Sequence, residues 1–192
     1  GGVFTSLFHG RDLVLIPPEL FVVRPALWLR AIARHRATIS PAPNFAYALC
    51  TERVRDEELD GADLSSWRVA LNGAEPVTPL ALERFVERFS RWGLRPEALT
   101  PVYGLAEATL AVTFSAVERP FRVRHFDARV LAEDGRAVVV ESGQPIVSLG
   151  PPLPGFEVAI VDDDGRALGA SRVGRVRARG PSIMSGYDGM HE

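Results

Sequence analysis

The stretch of the chain with the most chemical potential is residues 101–112, PVYGLAEATLAV. Within seven positions it places an aromatic ring, a glycine, a carboxylate and a hydroxyl, on Tyr103, Gly104, Glu107 and Thr109. An aromatic face can stack on a nucleobase, and a single carboxylate suits Mg²⁺ when phosphates supply its other ligands. These residue types fit one part of a nucleotide site. They fit equally well a strand end followed by a helix start, at which Glu107 is merely solvated.

A second loop of similar character is NGAEP, residues 72–76, which follows the apolar run of SWRVALNGAEPV. Gly73 and Gly104 would let the backbone approach a ligand closely, because glycine has no side chain. Thr109 or a backbone N–H is a candidate phosphate contact. Ligands of open α/β sheets bind beyond the carboxyl ends of the strands. The two loops together therefore predict half of a nucleotide site, provided that each follows a parallel strand.

The elements that would position these loops alternate between strand and helix. Apolar runs predict strands at 12–18, 37–40, 66–72 and 101–105, the last followed by the start of a helix. Helical spacing of apolar residues predicts helices over 24–36, over 44–54 with Asn44 as the N-cap, and from Thr78-Pro79 to Gly93. This order predicts an α/β fold with a mostly parallel, helix-covered sheet over about residues 1–115.

The pattern changes after about residue 115. The segment 128–141 contains two extended runs around Asp134-Gly135, which is a hairpin signal, and 156–168 repeats the signal at Asp164-Gly165. Residues 174–179 alternate cleanly between charged and small or apolar side chains. We therefore expect a β-rich, mainly antiparallel region over about residues 116–192.

Composition excludes several classes of function. The 22 Lys+Arg are balanced by 24 Asp+Glu, so the net charge of −2 offers no basic field for nucleic acid. Cys50 is the single cysteine, which excludes a disulfide framework and favours a reducing, cytoplasmic location. No apolar run is long enough to span a bilayer. The histidines, at positions 9, 35, 125 and 191, lack metal-ligand spacing.

Four motifs in a fixed order resemble those of the adenylate-forming superfamily, which includes acyl-CoA synthetases, non-ribosomal adenylation domains and luciferases. YGLAEAT resembles its Tyr-Gly-x-x-Glu motif, and NGAEP is similar to its adenine-contacting loop. Residues 150–162 and 174–187 resemble the two blocks that follow, which we interpret as structural. More specifically, residues 24–50 and 64–77 resemble the fatty acyl-AMP ligases.

The resemblance implies a role for each matching residue. Tyr103 would stack on adenine, and the loop residues Gly73, Ala74 and Glu75 would lie along the purine. Glu107 would hold Mg²⁺ against the ATP phosphates. Asn44 and Phe45 would border the acyl group. Much of the superfamily has a phosphate-contacting Thr where this chain has Ala106. Thr109 is only a weak substitute for that contact.

The resemblance implies a reaction of a fatty acid with ATP that yields acyl-AMP, with the acyl group then passed to an acyl carrier protein. The alternatives are a long-chain acyl-CoA synthetase that uses coenzyme A, or a non-catalytic module that binds an adenylate or a carrier protein. Residues 117–148 are a candidate for the insertion found in acyl-AMP ligases. The superfamily's phosphate loop and catalytic lysine are not in these residues, so we expect a fragment of the large N-terminal domain that is inactive alone.

Overall fold

A computed structural model describes residues 2–189 of the chain. The helices of the described part are α1 Gly2–Phe8, α2 Pro18–Val23, α3 Ala26–His35, α4 Asn44–Arg53, α5 Pro79–Phe89 and α6 Ala128–Asp134. The strands are β1 Ile39–Ala42, β2 Val69–Asn72, β3 Leu99–Leu105, β4 Leu110–Phe114, β5 Val123–Phe126, β6 Gln144–Val147, β7 Glu157–Val161 and β8 Arg175–Arg179. None of the described helices is long and apolar enough to cross a membrane.

The chain divides into two compact units. The first unit comprises Gly1–Pro101 and Ala116–Pro120, and the second comprises Val102–Ser115 and Phe121–Glu192. Strand β3 contributes to both, because its first residues pair with β2 and its last residues pair with β4. Each unit therefore has its own sheet pairing and its own packing.

The first unit contains the predicted parallel sheet. Strand β1 pairs parallel with β2, and β2 pairs parallel with the start of β3, where Ala70 lies opposite Leu99. Between these strands the chain forms α4 and α5, as the helical spacing predicted. Gly93 follows the last helical turn in a left-handed conformation, with φ 88°, which is the usual role of a glycine at a helix end. The mostly parallel α/β class is confirmed for this unit.

An aromatic cluster forms the core of the first unit. Its members, all buried, are Trp28, Tyr47, Trp67, Phe85 and Phe89. The rings of Trp28 and Trp67 meet edge to face with centroids 5.1 Å apart, which is a favourable geometry for aromatic pairs. The polar atoms of the cluster also have partners, since Trp28 Nε1 donates to Ser40 Oγ and Tyr47 OH donates to the carbonyl of Leu71. The cluster thus anchors α3, α4 and α5 to the sheet.

In the second unit the end of β3 turns back instead of entering a helix. A short 3₁₀ turn at Ala106–Ala108 leads into β4, which pairs antiparallel with β3. The predicted helix start after Tyr103 is therefore wrong. Thr109 and Leu110 both have positive φ, at 53° and 95°, and this left-handed pair of residues reverses the chain. Residues of this conformation cannot continue a right-handed helix.

The remaining strands of the second unit form two antiparallel pairs, β5 with β6 and β7 with β8. The expected β-rich, antiparallel region is thus confirmed. After β7 the chain reverses at residues 162–166, where Gly165 has φ 79° and the N–H of Asp162 donates to the carbonyl of Arg166. The predicted turn at Asp164-Gly165 is present.

Two local predictions are wrong. Residues 128–141 do not form a hairpin, because residues 128–134 form helix α6. The Asp127 carboxylate caps the start of this helix by accepting a hydrogen bond from the N–H of Val130. Gly135, with φ 58°, ends the helix. Residues 12–18 do not form a strand: 11–17 have no regular structure, and Leu15 is 72% exposed. An apolar run alone does not create the pairing partner that a strand requires.

Candidate functional site

The residues predicted to border the acyl group and those of the NGAEP loop lie together in the first unit. Asn44 connects them: its Oδ1 accepts from Asn72 Nδ2 at 3.1 Å and from the N–H of Thr78 at 3.2 Å, and its Nδ2 donates to Thr78 Oγ1. Asn44 is therefore not the N-cap of α4, a position held by Pro43 without a side-chain hydrogen bond. Its amide instead connects the start of α4 to Asn72, the first residue of the loop, and to Thr78, two residues beyond the end of the loop.

Glu75 makes the second link between this loop and α4. Its Oε1 accepts from the backbone N–H of Phe45 at 2.5 Å, one of the first-turn amides that have no partner within the helix. A carboxylate is favourable there because the helix N-terminus carries partial positive charge. Ala74, the residue before Glu75 in the loop, has φ 69° and is exposed. The loop is thus held in place by polar contacts, while Phe45 keeps 48% of its surface exposed.

Asn72, at the end of β2, carries an unpaired acceptor. The side chain is fully buried, and its Oδ1 has no hydrogen-bond partner among the residues that the structure describes. Buried polar atoms without partners are rare in proteins and ask for an explanation. The position of Asn72 was visible in the sequence, because this asparagine directly precedes Gly73 of the loop at the carboxyl end of an apolar strand.

The other four predicted residues lie together in the second unit, on β3 and the turn that follows it. Tyr103 is half-buried and lies opposite Thr113 of β4. Gly104 has a structural reason to be glycine, because a Cβ there would lie 1.6 Å from the carbonyl oxygen of Leu110. The neighbouring strand β4 approaches closely at this position and fixes the path of the chain into Glu107. The close approach of a ligand to Gly104 stays a prediction.

Glu107 lies at the centre of the turn and is held by residues from the end of the described chain. Its carboxylate accepts a hydrogen bond from the Tyr187 hydroxyl, and its carbonyl accepts one from the N–H of Met184 at 2.7 Å. The bond from Tyr187 lowers the pKa of Glu107 below its ordinary value, and the Glu107 carboxylate in turn raises the pKa of Tyr187. The carboxylate is thus charged at neutral pH. Sequence reasoning missed Tyr187, since nothing local connects residues so far apart.

Thr109 closes the turn through reciprocal bonds with Ser182. Thr109 Oγ1 donates to the carbonyl of Ser182 at 2.9 Å, and Ser182 Oγ donates to the carbonyl of Ala108 at 2.9 Å. The hydroxyl proton that Thr109 was predicted to offer a phosphate is already used by the protein. Its contact with a phosphate stays a prediction.

The donor chemistry around Glu107 bears on the predicted Mg²⁺. Across residues 2–189 the structure contains no cluster of three or more His, Cys, Asp or Glu side chains suited to a metal ion. One charged carboxylate with a free oxygen fits a magnesium ion that takes its other ligands from substrate phosphates and water, the usual arrangement for this ion. His191, one of the dispersed histidines, lies outside the described residues.

Residues 1–188 match the family of AMP-binding enzymes over nearly the whole chain. The chain belongs to this family. The motif order in the sequence predicted this family assignment.

Individual AMP-binding enzymes resemble the chain over almost its full length. It is 40% identical over 193 residues to JamA of Moorena producens, a medium-chain-fatty-acid–[acyl-carrier-protein] ligase, covering 97% of this chain and 32% of JamA. A fatty acid AMP ligase structure from Legionella pneumophila has a TM-score of 0.92 at 35% identity, covering 98% of this chain and 33% of that one.

A second structure, of the L. pneumophila fatty acyl-adenylate ligase in complex with acyl adenylate and pyrophosphate, has a TM-score of 0.89 at 35% identity. It covers 98% of this chain and 34% of that chain. The chain thus spans about a third of the length of these relatives.

Proposed function

We propose that the chain is part of a fatty acyl-AMP ligase, which joins a fatty acid to ATP to give acyl-AMP and pyrophosphate. The observation that carries the proposal is the Glu107 carboxylate, which is charged, is held from one side by Tyr187, and lies in the turn that follows the tyrosine and glycine of β3. The similarity to two fatty acid AMP ligase structures, one of them in complex with acyl adenylate and pyrophosphate, supports the same reaction. A cytoplasmic location is part of the proposal and is supported by the free thiol of Cys50.

In the proposed reaction a carboxylate oxygen of the fatty acid attacks the α-phosphorus of ATP. The bond from that phosphorus to the bridging oxygen breaks, and pyrophosphate leaves with the electron pair. No protein nucleophile is needed, so the protein acts mainly by positioning and by electrostatic stabilisation. A magnesium ion, when bound, would neutralise charge on the phosphate oxygens.

The residues of this chain would bind and orient the substrates. Glu107 supplies a fixed negative charge for the magnesium complex of ATP, and the face of Tyr103 supplies a stacking surface for adenine. Within the first unit, we propose the NGAEP loop for nucleotide contact, and the Glu75 carboxylate of that loop holds Phe45 at the start of α4. Asn44, tied to both ends of the loop, would border the acyl group.

The test uses the complete protein with ATP, Mg²⁺ and dodecanoate. We expect pyrophosphate release that depends on the fatty acid, together with acyl-AMP detected by mass spectrometry. The 192-residue chain alone should give only background release, because the similar ligases are about three times as long as this chain. Absence of acyl-AMP from the complete protein with fatty acids of any chain length would refute the proposal.

We further propose that the acyl group passes to the thiol of a carrier protein, as the name of JamA describes for that relative. The competing acceptor is coenzyme A. Residues 117–148 contain β5, α6 and β6 rather than an unstructured loop, which supports an ordered insertion, and we propose that this insertion restrains acyl transfer. The assay is to supply each acceptor to the complete enzyme and to a variant lacking 128–141. Efficient acyl-CoA formation by the intact enzyme would contradict the carrier assignment, and negligible acyl-CoA from the deletion variant would show that this segment is not the restraint.

A further inference from the structure

We propose that Ser182 and Tyr187 are positioning residues for the Glu107 carboxylate, so that the segment 182–187 is a working part of the magnesium-nucleotide site. The proposal rests on the proposed function for its consequence in catalysis. Its structural content is independent of that function, because it concerns hydrogen bonds between side chains and backbone within one unit of the chain.

The backbone of the turn is tied to this segment at three consecutive residues. The carbonyl of Glu107 accepts from the N–H of Met184, the carbonyl of Ala108 accepts from Ser182 Oγ, and Thr109 Oγ1 donates to the carbonyl of Ser182. A 3₁₀ turn of three residues has little hydrogen bonding of its own. The conformation of the turn, including the positive φ of Thr109, is thus stabilised by a segment more than 70 residues away in sequence.

The side chain of Glu107 is held separately by Tyr187. The phenol donates to Oε1, which leaves Oε2 and the remaining lone pairs for a cation. Carboxylates that bind metals are commonly oriented by such a second hydrogen bond, and losing the partner lowers metal affinity or activity by about 10- to 100-fold. Tyr187 itself is 57% exposed, so its ring contributes little packing and the hydroxyl is the group with a consequence.

Three variants of the complete enzyme separate these contributions. Ser182→Ala removes the hydroxyl that bonds Ala108, Tyr187→Phe removes only the phenol hydroxyl, and Ser185→Ala is the matched control. Ser185 lies in the same segment, is exposed, and its side chain bonds to none of the residues that the structure describes.

The first measurement is amide hydrogen exchange of residues 106–110 without ATP or metal. We expect about tenfold faster exchange in Ser182→Ala, in proportion to one lost hydrogen bond, and exchange within about twofold of wild type in Tyr187→Phe and Ser185→Ala. Unchanged exchange in Ser182→Ala would overturn the role of Ser182. This result stands even if the complete protein makes no acyl-AMP, so failure of the proposed function is recognised separately.

The second measurement is metal binding. Mn²⁺ is titrated by electron paramagnetic resonance in the presence of a non-hydrolysable ATP analogue, and the Mg²⁺ concentration for half-maximal adenylation is measured in parallel. In Tyr187→Phe we expect both values to rise about tenfold, with the KM for the fatty acid unchanged and kcat largely recovered at saturating Mg²⁺. Values within twofold of wild type would overturn the role of Tyr187. Tighter metal binding would also overturn it, since the hydroxyl would then compete with the ion.

Discussion

The two units of the chain are held together in different ways. The first is built around buried aromatic rings, of which Tyr47, Trp67, Phe85 and Phe89 are completely inaccessible. Among the described residues of the second unit only a few side chains, such as Val112 and Val161, are buried. Its structure depends on strand pairing and on bonds such as those at the Glu107 turn. We therefore expect folding stability and reaction rate to depend on different residues. Deleting a ring of the first unit should lower the free energy of unfolding, and changing the Glu107 turn should lower the reaction rate.

The largest effect should come from the aromatic core. Phe85→Ala should lower the free energy of unfolding by about 3–5 kcal/mol, because it removes a fully buried ring that touches several others. Leu80→Ala is the control on the same helix, since Leu80 is 55% exposed, and its effect should stay within about 0.5 kcal/mol. Chemical denaturation followed by tryptophan fluorescence measures both. Equal losses in the two variants would remove the basis of the contrast.

The next effect should be on catalysis without a loss of stability. Glu107→Gln in the complete enzyme keeps the shape of the side chain and removes its charge, so we expect the adenylation rate to fall by about 10²-fold or more. The melting temperature should stay within about 2 °C of wild type, in keeping with a half-buried surface position. Glu141→Gln, at an exposed position of the same unit, is the control. Near-normal turnover of Glu107→Gln would return this residue to the role of a solvated side chain.

A smaller change should distinguish stacking from packing at Tyr103. Tyr103→Ala should raise the KM for ATP about tenfold, because stacking of a base on an aromatic ring contributes about 1–3 kcal/mol and acts in the ground state as well as the transition state. Tyr103→Phe, which keeps the ring, should leave the KM nearly unchanged. If the alanine variant loses stability with an unchanged KM, the Tyr103 ring has a packing role and not a stacking role.

The smallest effect is an absence of reaction at Cys50. Burial raises the pKa of this thiol to about 12, so at pH 8 it is protonated and unreactive as a nucleophile. Iodoacetamide should leave the folded chain unmodified over an hour and label it completely in urea, as measured by mass spectrometry. Rapid labelling of the folded chain would mean that the core of the first unit opens readily.

Sequence reasoning was most successful where local pattern and packing agree. Helices α3, α4 and α5 and the parallel strand β2 follow directly from apolar periodicity, because one face of each element is buried in the same core. At residues 134–135 the same kind of reasoning failed. An Asp-Gly pair with φ > 0 at the glycine is common to a hairpin turn and to a helix end. The capping bond that the Asp127 carboxylate accepts from the N–H of Val130 favours the helix.

The predicted site residues fared unevenly for a similar reason. The motifs located both loops, and the structure places the residues of each loop side by side in its own unit. The partners that orient them could not be read from the sequence. Asn44 bonds to residues 28 and 34 positions away, and Glu107 bonds to one 80 positions away. Such pairings depend on the folded path of the chain, as does the close approach of the Leu110 carbonyl in β4 to Gly104.

The distance in sequence between the Glu107 turn and its tethers also sets an order of events during synthesis. The bonds from Thr109, Ser182 and Tyr187 close loops of 73, 74 and 80 residues, and contacts of such long range form late because loop closure must come first. On the ribosome, the aromatic core can assemble once α5 has emerged, whereas the turn must wait for nearly one hundred further residues. A nascent chain stalled before residue 182 should therefore have a folded core and an unformed turn.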